Sequence, residues 1–441
     1  MPRLTRRALL ASSAAALAGC NAVSEPTELP TVTPAPVPRG RDEAIEALTA
    51  ERPPRIGRDV AVADDHVPAS RDHLRRVVDR TARALDGVEA GGDDATAREV
   101  SSLRIDVEDL RAFLDRRWDD PLVALDRIRE RIPHAGHALG YALALRDGAD
   151  AEPVDPEAAR ADCRAYFADR RFACADPGRL LVNAVAAESR LRSVLRQVER
   201  MGIPDPDDRR DPDAIAARYR HRAHLRHALE DARRLTVAGS GPASEREPFA
   251  AALRRNRARL RRAVRTELDA VEEPSKTVGN DDSPARQQVA RALVDLGREA
   301  EWHVANSWNA AERNHDAISL FAAARGLVHA RAVRTAVDRT DPLVDADRVS
   351  FDALERARGA AIDAVATADA RVDRPLERRL LGAAAGTIRI ADYRIDSAAS
   401  GGSGGGGEGD PRARAYARYR LAVAIPGHVA DAASMATERG G

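Results

Sequence analysis

Residues 284–339 read PARQQVARALVDLGREAEWHVANSWNAAERNHDAISLFAAARGLVHARAVRTAVDR, a helical pattern with no proline after its first residue. Ser283 followed by Pro284 is a helix start signal, an N-cap followed by proline at the first helical position. One straight helix of this length would extend roughly 80 Å, whereas a compact globule of this size is about 55 Å across. We therefore predict that the helix is interrupted near residues 306–309 or at Gly326, unless the protein is elongated.

Composition favours an all-α fold. Aromatic residues make up 3% of the 441 positions, and alanine and leucine are abundant. Small aliphatic side chains suit closely packed helices, whereas sheets are rich in β-branched and aromatic residues. The predicted fold is a multi-helix bundle with one long, interrupted central helix.

The chain has no net charge, because 70 basic residues balance 70 acidic ones. A neutral chain sets up no long-range field that would attract nucleic acid. The sequence contains no P-loop, no Gly-x-Gly-x-x-Gly fingerprint after a predicted strand, no Gly-x-Ser-x-Gly at a strand-to-helix elbow and no His-Glu-x-x-His motif, since the matches to the two glycine patterns within residues 400–409 reflect a Gly/Ser-rich composition. We therefore predict no nucleic-acid partner, and most motif-bearing enzyme families are disfavoured.

Helix starts are marked by aspartate–proline pairs. The aspartate side chain can accept hydrogen bonds from the first amides of a helix, and proline suits the first helical turn. The pairs are Asp120-Pro121, Asp155-Pro156, Asp176-Pro177, Asp211-Pro212, Asp341-Pro342 and Asp410-Pro411. A capping-box sequence, Ser244-Glu245-Arg246-Glu247, predicts a further start. The predicted helices lie near residues 42–52, 70–88, 95–118, 121–146, 156–169, 177–201, 212–236, 244–272, 284–339, 345–370, 375–397 and 411–437.

Loop composition divides the chain into segments. The helical pattern covers residues 42–399 and predicts one α-helical domain, with a sub-boundary near residues 203–213 or 273–283 as an alternative. Residues 400–409, SGGSGGGGEG, have the composition of a flexible linker. A C-terminal helix pair is predicted at residues 410–441.

The first twenty residues contain an export motif. An arginine pair, Arg6-Arg7, precedes an apolar run at residues 8–18 that is too short to span a bilayer. Residues 17–20, LAGC, end the run. Together these motifs resemble the twin-arginine (Tat) signal of an exported lipoprotein, with LAGC as the lipobox.

This resemblance implies how the protein is localised. It implies export of the folded chain, removal of residues 1–19 as a signal peptide, and attachment of lipid to the Cys20 thiol. The location implied is extracytoplasmic, on the cell membrane. The alternative is an unprocessed N-terminal helix. No family is recognised for the mature domain.

Residues 20–41 follow the signal and are rich in proline and threonine, a composition typical of an extended spacer. Arginine stands at every basic position except Lys276. Signal, spacer and lysine avoidance together are similar to haloarchaeal secreted lipoproteins. Those proteins are usually acidic, whereas this chain is neutral, so a high-GC bacterium is the other source considered.

Two cysteines remain besides Cys20, namely Cys163 and Cys174. An even pair in an exported protein is expected to be oxidised. Cys163 lies in a short predicted helix and Cys174 just before the next one, so a hairpin could bring the two sulfurs together. We predict a disulfide, with two buried free thiols as the alternative.

Four side chains are candidates for a metal site. Glu301, Glu312 and His315 project to one side of the central helix, within about 60° of each other on an ideal helical wheel. Glu312 and His315 have the Glu-x-x-His spacing with which helical bundles present ligands to iron, manganese or zinc. Glu188 lies on the apolar stripe of another helix. The alternative is that each carboxylate pairs with an arginine at a helix interface.

Two further patterns have structural interpretations. His221, His224 and His227 recur every three residues, too dispersed around a helix to meet one metal ion, and predict a solvated helical face. Residues 254–265, RRNRARLRRAVR, form a cationic amphipathic helix. Its arginines are predicted to pair with acidic residues of the same chain, with contact to anionic lipid as the alternative.

These patterns favour a lipid-anchored binding or scaffold module at the cell envelope over an enzyme. The expected partners are the membrane, through the lipid, and an envelope protein, and no cofactor is expected. The rival interpretation is a helical-bundle metal-binding protein or enzyme that uses Glu188, Glu301, Glu312 and His315. An extracytoplasmic solute-binding protein is a third, weaker interpretation, because such proteins are usually α/β.

Overall fold

The computed structural model describes residues 45–46, 48–57, 59–88, 94–148, 155–205, 208, 211–272, 283–337, 347–399 and 410–439. The predicted signal, the lipobox with Cys20, the spacer and the Gly/Ser linker lie outside the described residues. The described residues fold into α-helices and one two-stranded sheet, so the all-α prediction is confirmed. None of the helices in these ranges is both long enough and apolar enough to cross a bilayer.

The helices follow one another in a regular series. They are α1 (His66–Asp86), α2 (Asp94–Leu114), α3 (Pro121–Asp147), α4 (Pro156–Asp169), α5 (Pro177–Met201), α6 (Pro212–Ser240), α7 (Ala250–Glu272), α8 (Pro284–Glu312), α9 (Asp316–Val337), α10 (Phe351–Asp369), α11 (Pro375–Ala399), α12 (Pro411–Ala424) and α13 (Pro426–Thr437). Strand β1 (Ala173–Cys174) pairs antiparallel with β2 (Glu247–Pro248).

Five of the aspartate–proline pairs start helices as predicted. The aspartate carboxylates accept hydrogen bonds from amides in the first turns of α3, α4, α5, α6 and α12. The sixth pair, Asp341-Pro342, lies outside the described residues.

The capping-box prediction was wrong. Residues Ala243–Glu245 form a 3-10 turn, β2 follows it, and α7 begins only at Ala250, because this segment pairs with β1.

The long stretch that begins at Pro284 is interrupted, but not at the predicted positions. Helix α8 ends at Glu312, and Asn314 adopts the left-handed conformation with φ 57°, which asparagine tolerates better than most residues. Helix α9 folds back antiparallel onto α8, and the Oγ atoms of Ser307 and Ser319 each donate to the other residue's carbonyl at 2.6 Å. The hairpin lets the apolar faces of both halves pack against each other.

Gly326 permits this close packing and does not interrupt the helix. A Cβ atom at Gly326 would lie 3.3 Å from His303 Cβ and 3.4 Å from the Ala300 carbonyl oxygen. The absence of a side chain therefore lets α9 approach α8 closely.

The described residues form three hydrophobic clusters. The largest joins α7–α13 to the first half of α5, the second joins α1, α2 and α3 to the start of α6, and the third joins α4, α5 and α6. Helix α12 is part of the largest cluster, where Tyr419 is fully buried and donates its hydroxyl hydrogen to Asp392 Oδ1 at 2.7 Å. Helix α5 belongs to two clusters. Its second half packs against α4 and α6, and Phe167 of α4 contacts His315 in the α8–α9 turn (residues 313–315).

Candidate functional site

Glu188 is fully buried on α5 and stabilises the start of α9. Its two carboxylate oxygens accept hydrogen bonds from the amides of Ala317 and Ile318, each at 2.9 Å. It also forms an ion pair with Arg170. A carboxylate at a helix N-terminus satisfies amides that have no partner within the helix and complements the helix dipole. This pairing with an arginine is the alternative that the sequence had left open.

Arg170 is enclosed on several sides, and we call its contact with Glu188 the Arg170–Glu188 pair. The guanidinium lies 4.8 Å from the ring centre of Phe172, 5.4 Å from that of Tyr166 and 5.6 Å from that of Phe167. It also donates to the Asn314 carbonyl at 3.0 Å. Burial raises the pKa of Glu188, and Arg170 with the two amides acts in the opposite direction. The pair therefore joins α4, α5 and the α8–α9 turn.

The structure does not bring the four metal candidates together. Glu301 and Glu312 are exposed on α8, whereas His315 is buried, with its ring centre 4.3 Å from that of Phe167. Across the described ranges, no three His, Cys, Asp or Glu side chains are placed to share a metal ion. Glu301 and Glu312 do not point into the bundle, because the opposite face of α8, with His303 and Ser307, packs against α9.

The two cysteines are free and buried, so the predicted disulfide is not formed in the structure. Cys163 packs in the third cluster, and its thiol lies 3.5 Å from the Leu225 carbonyl oxygen. Cys174 packs in the largest cluster. Burial raises the pKa of Cys163 to about 12 and that of Cys174 to about 11, so both remain thiols at neutral pH.

The histidines of α6 are buried, and the predicted solvated face was wrong. His221, His224 and His227 are 1%, 7% and 3% exposed, respectively. The same helix carries the buried Asp231, which accepts two hydrogen bonds from Arg129 at 2.7 and 2.9 Å. The sequence pattern was misleading because α6 is covered on several sides by α3, α5, α4 and α1.

The cationic helix α7 has an apolar stripe that is covered by the protein itself. Leu253, Leu260 and Val264 lie in the largest cluster. Arg257 pairs with Asp316 at 2.8 Å, and Arg259 pairs with Glu438. The intramolecular interpretation of this segment is therefore confirmed for these two arginines.

A cleft of about 470 Å³ lies between α4, α5 and the α8–α9 turn, and we call it the arginine cleft. Its wall has polar and apolar parts. The polar side chains include Arg164, Arg192, Arg196, Arg313, Asn314 and His315. Phe167 and Leu195 form the apolar part. Arg192, Leu195 and Arg196 share one side of α5, because residues three and four apart are neighbours on a helix.

The positive charge of the arginine cleft is incompletely balanced. Its one carboxylate, Glu199, lies 3.5 Å from Arg160 and 3.6 Å from Arg164. In the part of the chain that the structure describes, Arg192, Arg196 and Arg313 make no ion pair. Among the described residues, three guanidinium groups of this cleft therefore have no ion-pair partner.

The buried parts of this wall also lack hydrogen-bond partners. Burial and the charges of Arg196 and Arg313 lower the pKa of Arg192. Burial and the surrounding arginines lower the pKa of His315 to about 4, so its imidazole is neutral at pH 7. Arg192 Nε and His315 Nδ1 are buried and have no partner among the described residues. Buried nitrogen atoms without a partner also occur elsewhere among the described residues, for example in His221 and His227, so they do not distinguish this wall.

Sequence reasoning singled out His315 but missed the three arginines. The available signal was the four-residue spacing of Arg192 and Arg196 on one helix. The same helix offers Glu188 and Glu199 as partners at suitable spacing. Only the tertiary structure shows that Glu188 is paired with Arg170 and that Glu199 lies beside two other arginines.

Comparison with known proteins finds two matching family models. Residues 65–238 are similar to a domain of unknown function (DUF8262), and residues 246–438 are similar to another domain of unknown function (DUF8264). No curated protein and no solved structure matches the chain. Helices α4 and α5 lie within the first match and the α8–α9 turn within the second, so the arginine cleft is formed by both segments.

Proposed function

We propose that this protein is a lipid-anchored, extracytoplasmic binding protein that holds an anionic ligand in the arginine cleft. The observation that carries the proposal is the presence of Arg192, Arg196 and Arg313 on one cleft without a carboxylate partner among the described residues. An anion would offset the repulsion among the three guanidinium groups and would accept charge-assisted hydrogen bonds from them.

The size and position of the cleft support a ligand site. A volume of about 470 Å³ lies within the range of about 300–1,000 Å³ for small-molecule pockets. Such pockets are frequent where two structural units meet, and this cleft is lined by both matched segments.

The N-terminal sequence supports the anchored location. The twin arginine and the LAGC lipobox are followed by a proline- and threonine-rich spacer before the first described helix. A lipid on Cys20 and an extended spacer would hold the helical body at the outer surface of the membrane. An envelope protein remains the proposed second partner, and we propose no enzymatic activity and no cofactor.

Ligand binding is tested by thermal unfolding of the purified protein at low ionic strength. Phosphate, sulfate and citrate are each expected to raise the melting temperature, because a ligand that binds only the folded state stabilises it. The Arg192→Gln/Arg196→Gln variant should lose this response. The matched control Arg254→Gln/Arg262→Gln removes two exposed arginines from α7 and should keep it. An unchanged response in the cleft variant, or no response in the wild type, would refute the proposed site.

The anchor is tested by cell fractionation. The wild-type protein is expected in the membrane fraction, from which detergent releases it. Cys20→Ser is expected to release the mature chain or to leave it unprocessed, since the acceptor thiol is lost. Membrane association that does not depend on Cys20 would contradict the lipid anchor.

A further inference from the structure

On the basis of the anion-binding function proposed above, we propose that the ligand is a small organic phosphate monoester. Arg192, Arg196 and Arg313 hold its phosphoryl group, and its organic part packs on Phe167 and Leu195. The proposal adds a ligand class to the arginine cleft, and it follows from the charge, the donor types and the apolar wall of that cleft.

The number of unbalanced charges favours a dianion. A single carboxylate is satisfied by one guanidinium group through two parallel hydrogen bonds, which would leave two of the three arginines without a counter-charge. A phosphate monoester carries a charge of about −1.5 to −2 at pH 7 and offers three strong acceptor oxygens. It therefore offers one acceptor oxygen to each of the three guanidinium groups and offsets more of their charge than a single carboxylate does.

The origin of the donors also favours a tetrahedral group. Arg192 and Arg196 come from successive turns of α5, whereas Arg313 comes from the α8–α9 turn, so the donors reach the cleft from different elements. A phosphoryl group accepts hydrogen bonds from several directions, whereas a carboxylate presents acceptors in one plane. His315, which follows Arg313 by two residues, lines the same cleft.

The apolar part of the wall indicates an organic substituent. Phe167 and Leu195 line the cleft beside the arginines. Phe167 is held in place by contacts with the His315 ring at 4.3 Å and the Tyr166 ring at 5.6 Å. The cleft also has more room than inorganic phosphate needs, because its volume of about 470 Å³ is that of a small-molecule pocket. A flat or aliphatic group attached to the phosphoryl would cover this wall.

The test is isothermal titration calorimetry of the full chain with phenyl phosphate, inorganic phosphate and succinate as probes. Phenyl phosphate is expected to bind at least about ten-fold more tightly than inorganic phosphate, since burial of apolar surface adds about 25 cal/mol per Å². Succinate is expected to bind more weakly than either phosphate. Arg192→Gln and Arg196→Gln should each weaken phenyl phosphate binding at least about ten-fold, because a charge-assisted hydrogen bond is lost.

Controls separate a local effect from misfolding. Arg262→Gln removes an exposed arginine from α7 and should bind phenyl phosphate like the wild type. Arg192→Lys keeps the charge but loses the planar guanidinium, so an intermediate affinity supports a direct contact. Circular dichroism and urea unfolding confirm that each variant is folded before its affinity is interpreted.

The outcomes distinguish the two proposals. Binding of succinate without binding of phenyl phosphate overturns the phosphate inference and leaves the anion-binding function intact. Absence of binding for all three probes overturns both. Phenyl phosphate binding that is unaffected by Arg192→Gln and Arg196→Gln places the site elsewhere and overturns the inference. Binding to phosphatidylcholine vesicles that contain phosphatidate, without binding of phenyl phosphate, would indicate a lipid head group and overturn the small-molecule ligand.

Discussion

Two sets of arginines lie near His315, and they differ in the partners that the protein provides for them. Arg170 is paired with the buried Glu188, enclosed by three aromatic rings and bonded to a backbone carbonyl. Arg192, Arg196 and Arg313 line the neighbouring cleft without an ion pair among the described residues.

The difference separates arginines that stabilise the fold from arginines that are available to a ligand. A buried polar group is normally satisfied within the protein, and departures from this rule concentrate at functional sites. The Arg170–Glu188 pair is a buried ion pair that fixes the α8–α9 turn. The arginine cleft lies on the same α5 helix and against the same turn, but Arg196 and Arg313 are exposed and its three arginines have no ion-pair partner among the described residues. Substitutions in the two regions should therefore have different effects on stability.

The largest effect is expected for the Arg170–Glu188 pair. Glu188→Gln should lower the free energy of unfolding by about 3–5 kcal/mol, because it leaves a buried guanidinium without a counter-charge. Urea unfolding measures this change. Glu312→Gln, which changes an exposed carboxylate, should stay within about 0.5 kcal/mol of the wild type. A loss below about 1 kcal/mol for Glu188→Gln would show that the pair does not stabilise the turn.

A second prediction concerns the buried histidines of α6. They are neutral at pH 7 because burial lowers their pKa. Burial lowers the pKa of His227 from 6.5 to about 3. The unfolded chain therefore binds more protons below about pH 6.5, so stability is retained above that pH and is lost as the pH falls. One such histidine contributes a loss of about 2 kcal/mol between pH 7 and pH 5.

Urea unfolding at pH 7 and pH 5 tests this prediction. His227→Gln should reduce the stability lost on acidification by about 2 kcal/mol, because one proton-binding group is removed from the unfolded chain. Ser102→Ala alters an exposed residue that has no titratable side chain and should leave the pH dependence unchanged. An equal pH dependence in His227→Gln and the wild type would indicate that His227 titrates normally in the folded protein.

Arg261 is an intermediate case, because it is buried but satisfied by hydroxyl groups instead of a carboxylate. Its guanidinium donates to Ser307 Oγ at 2.9 Å and to Ser319 Oγ at 3.1 Å, and it lies 3.7 Å from the ring centre of Trp308. Ser319→Ala should lower the free energy of unfolding by about 1.5 kcal/mol, since a hydrogen bond to a buried charge is lost. Chemical denaturation compares it with the exposed Ser102→Ala, which should be near neutral. Equal stability of the two variants would show that the hydrogen bond between Arg261 and the Ser319 hydroxyl does not stabilise the fold.

The smallest effect on stability is expected in the arginine cleft. Arg192→Gln removes no ion pair and relieves repulsion with Arg196 and Arg313, so the free energy of unfolding should change by no more than about 0.5 kcal/mol. Arg170→Gln, the matched substitution in the neighbouring pair, should cost several kcal/mol by breaking a buried ion pair. Comparable losses in the two variants would remove the distinction between stabilising and available arginines.

Local signals in the sequence were reliable where the structure depends on neighbouring residues. The aspartate–proline pairs predicted five helix starts, because an N-cap acts on amides within the same turn. The same reasoning failed for Ser244–Glu247, where pairing with β1, a segment distant in sequence, competes with the capping box.

The position of the helix break and the inward face of α8 were harder to predict. Length alone required a break, but its location at residues 313–315 depends on how α9 packs against α8. On an ideal wheel, Glu301 and Glu312 share a side with small and apolar residues, because such residues occupy most of the circumference of this stretch. Which side becomes buried was decided by the partner helices.

The sequence by itself determined the helical class, most of the described helix starts and the need for a break, because these follow from composition, local capping and length. The tertiary structure decided which carboxylate each arginine contacts, which histidines are buried and where the arginine cleft forms. These features depend on groups brought together from distant positions, such as Arg170 with Glu188 and Arg192 with Arg313. A one-dimensional pattern contains the charges, but only the packing of helices determines which of them remain unbalanced.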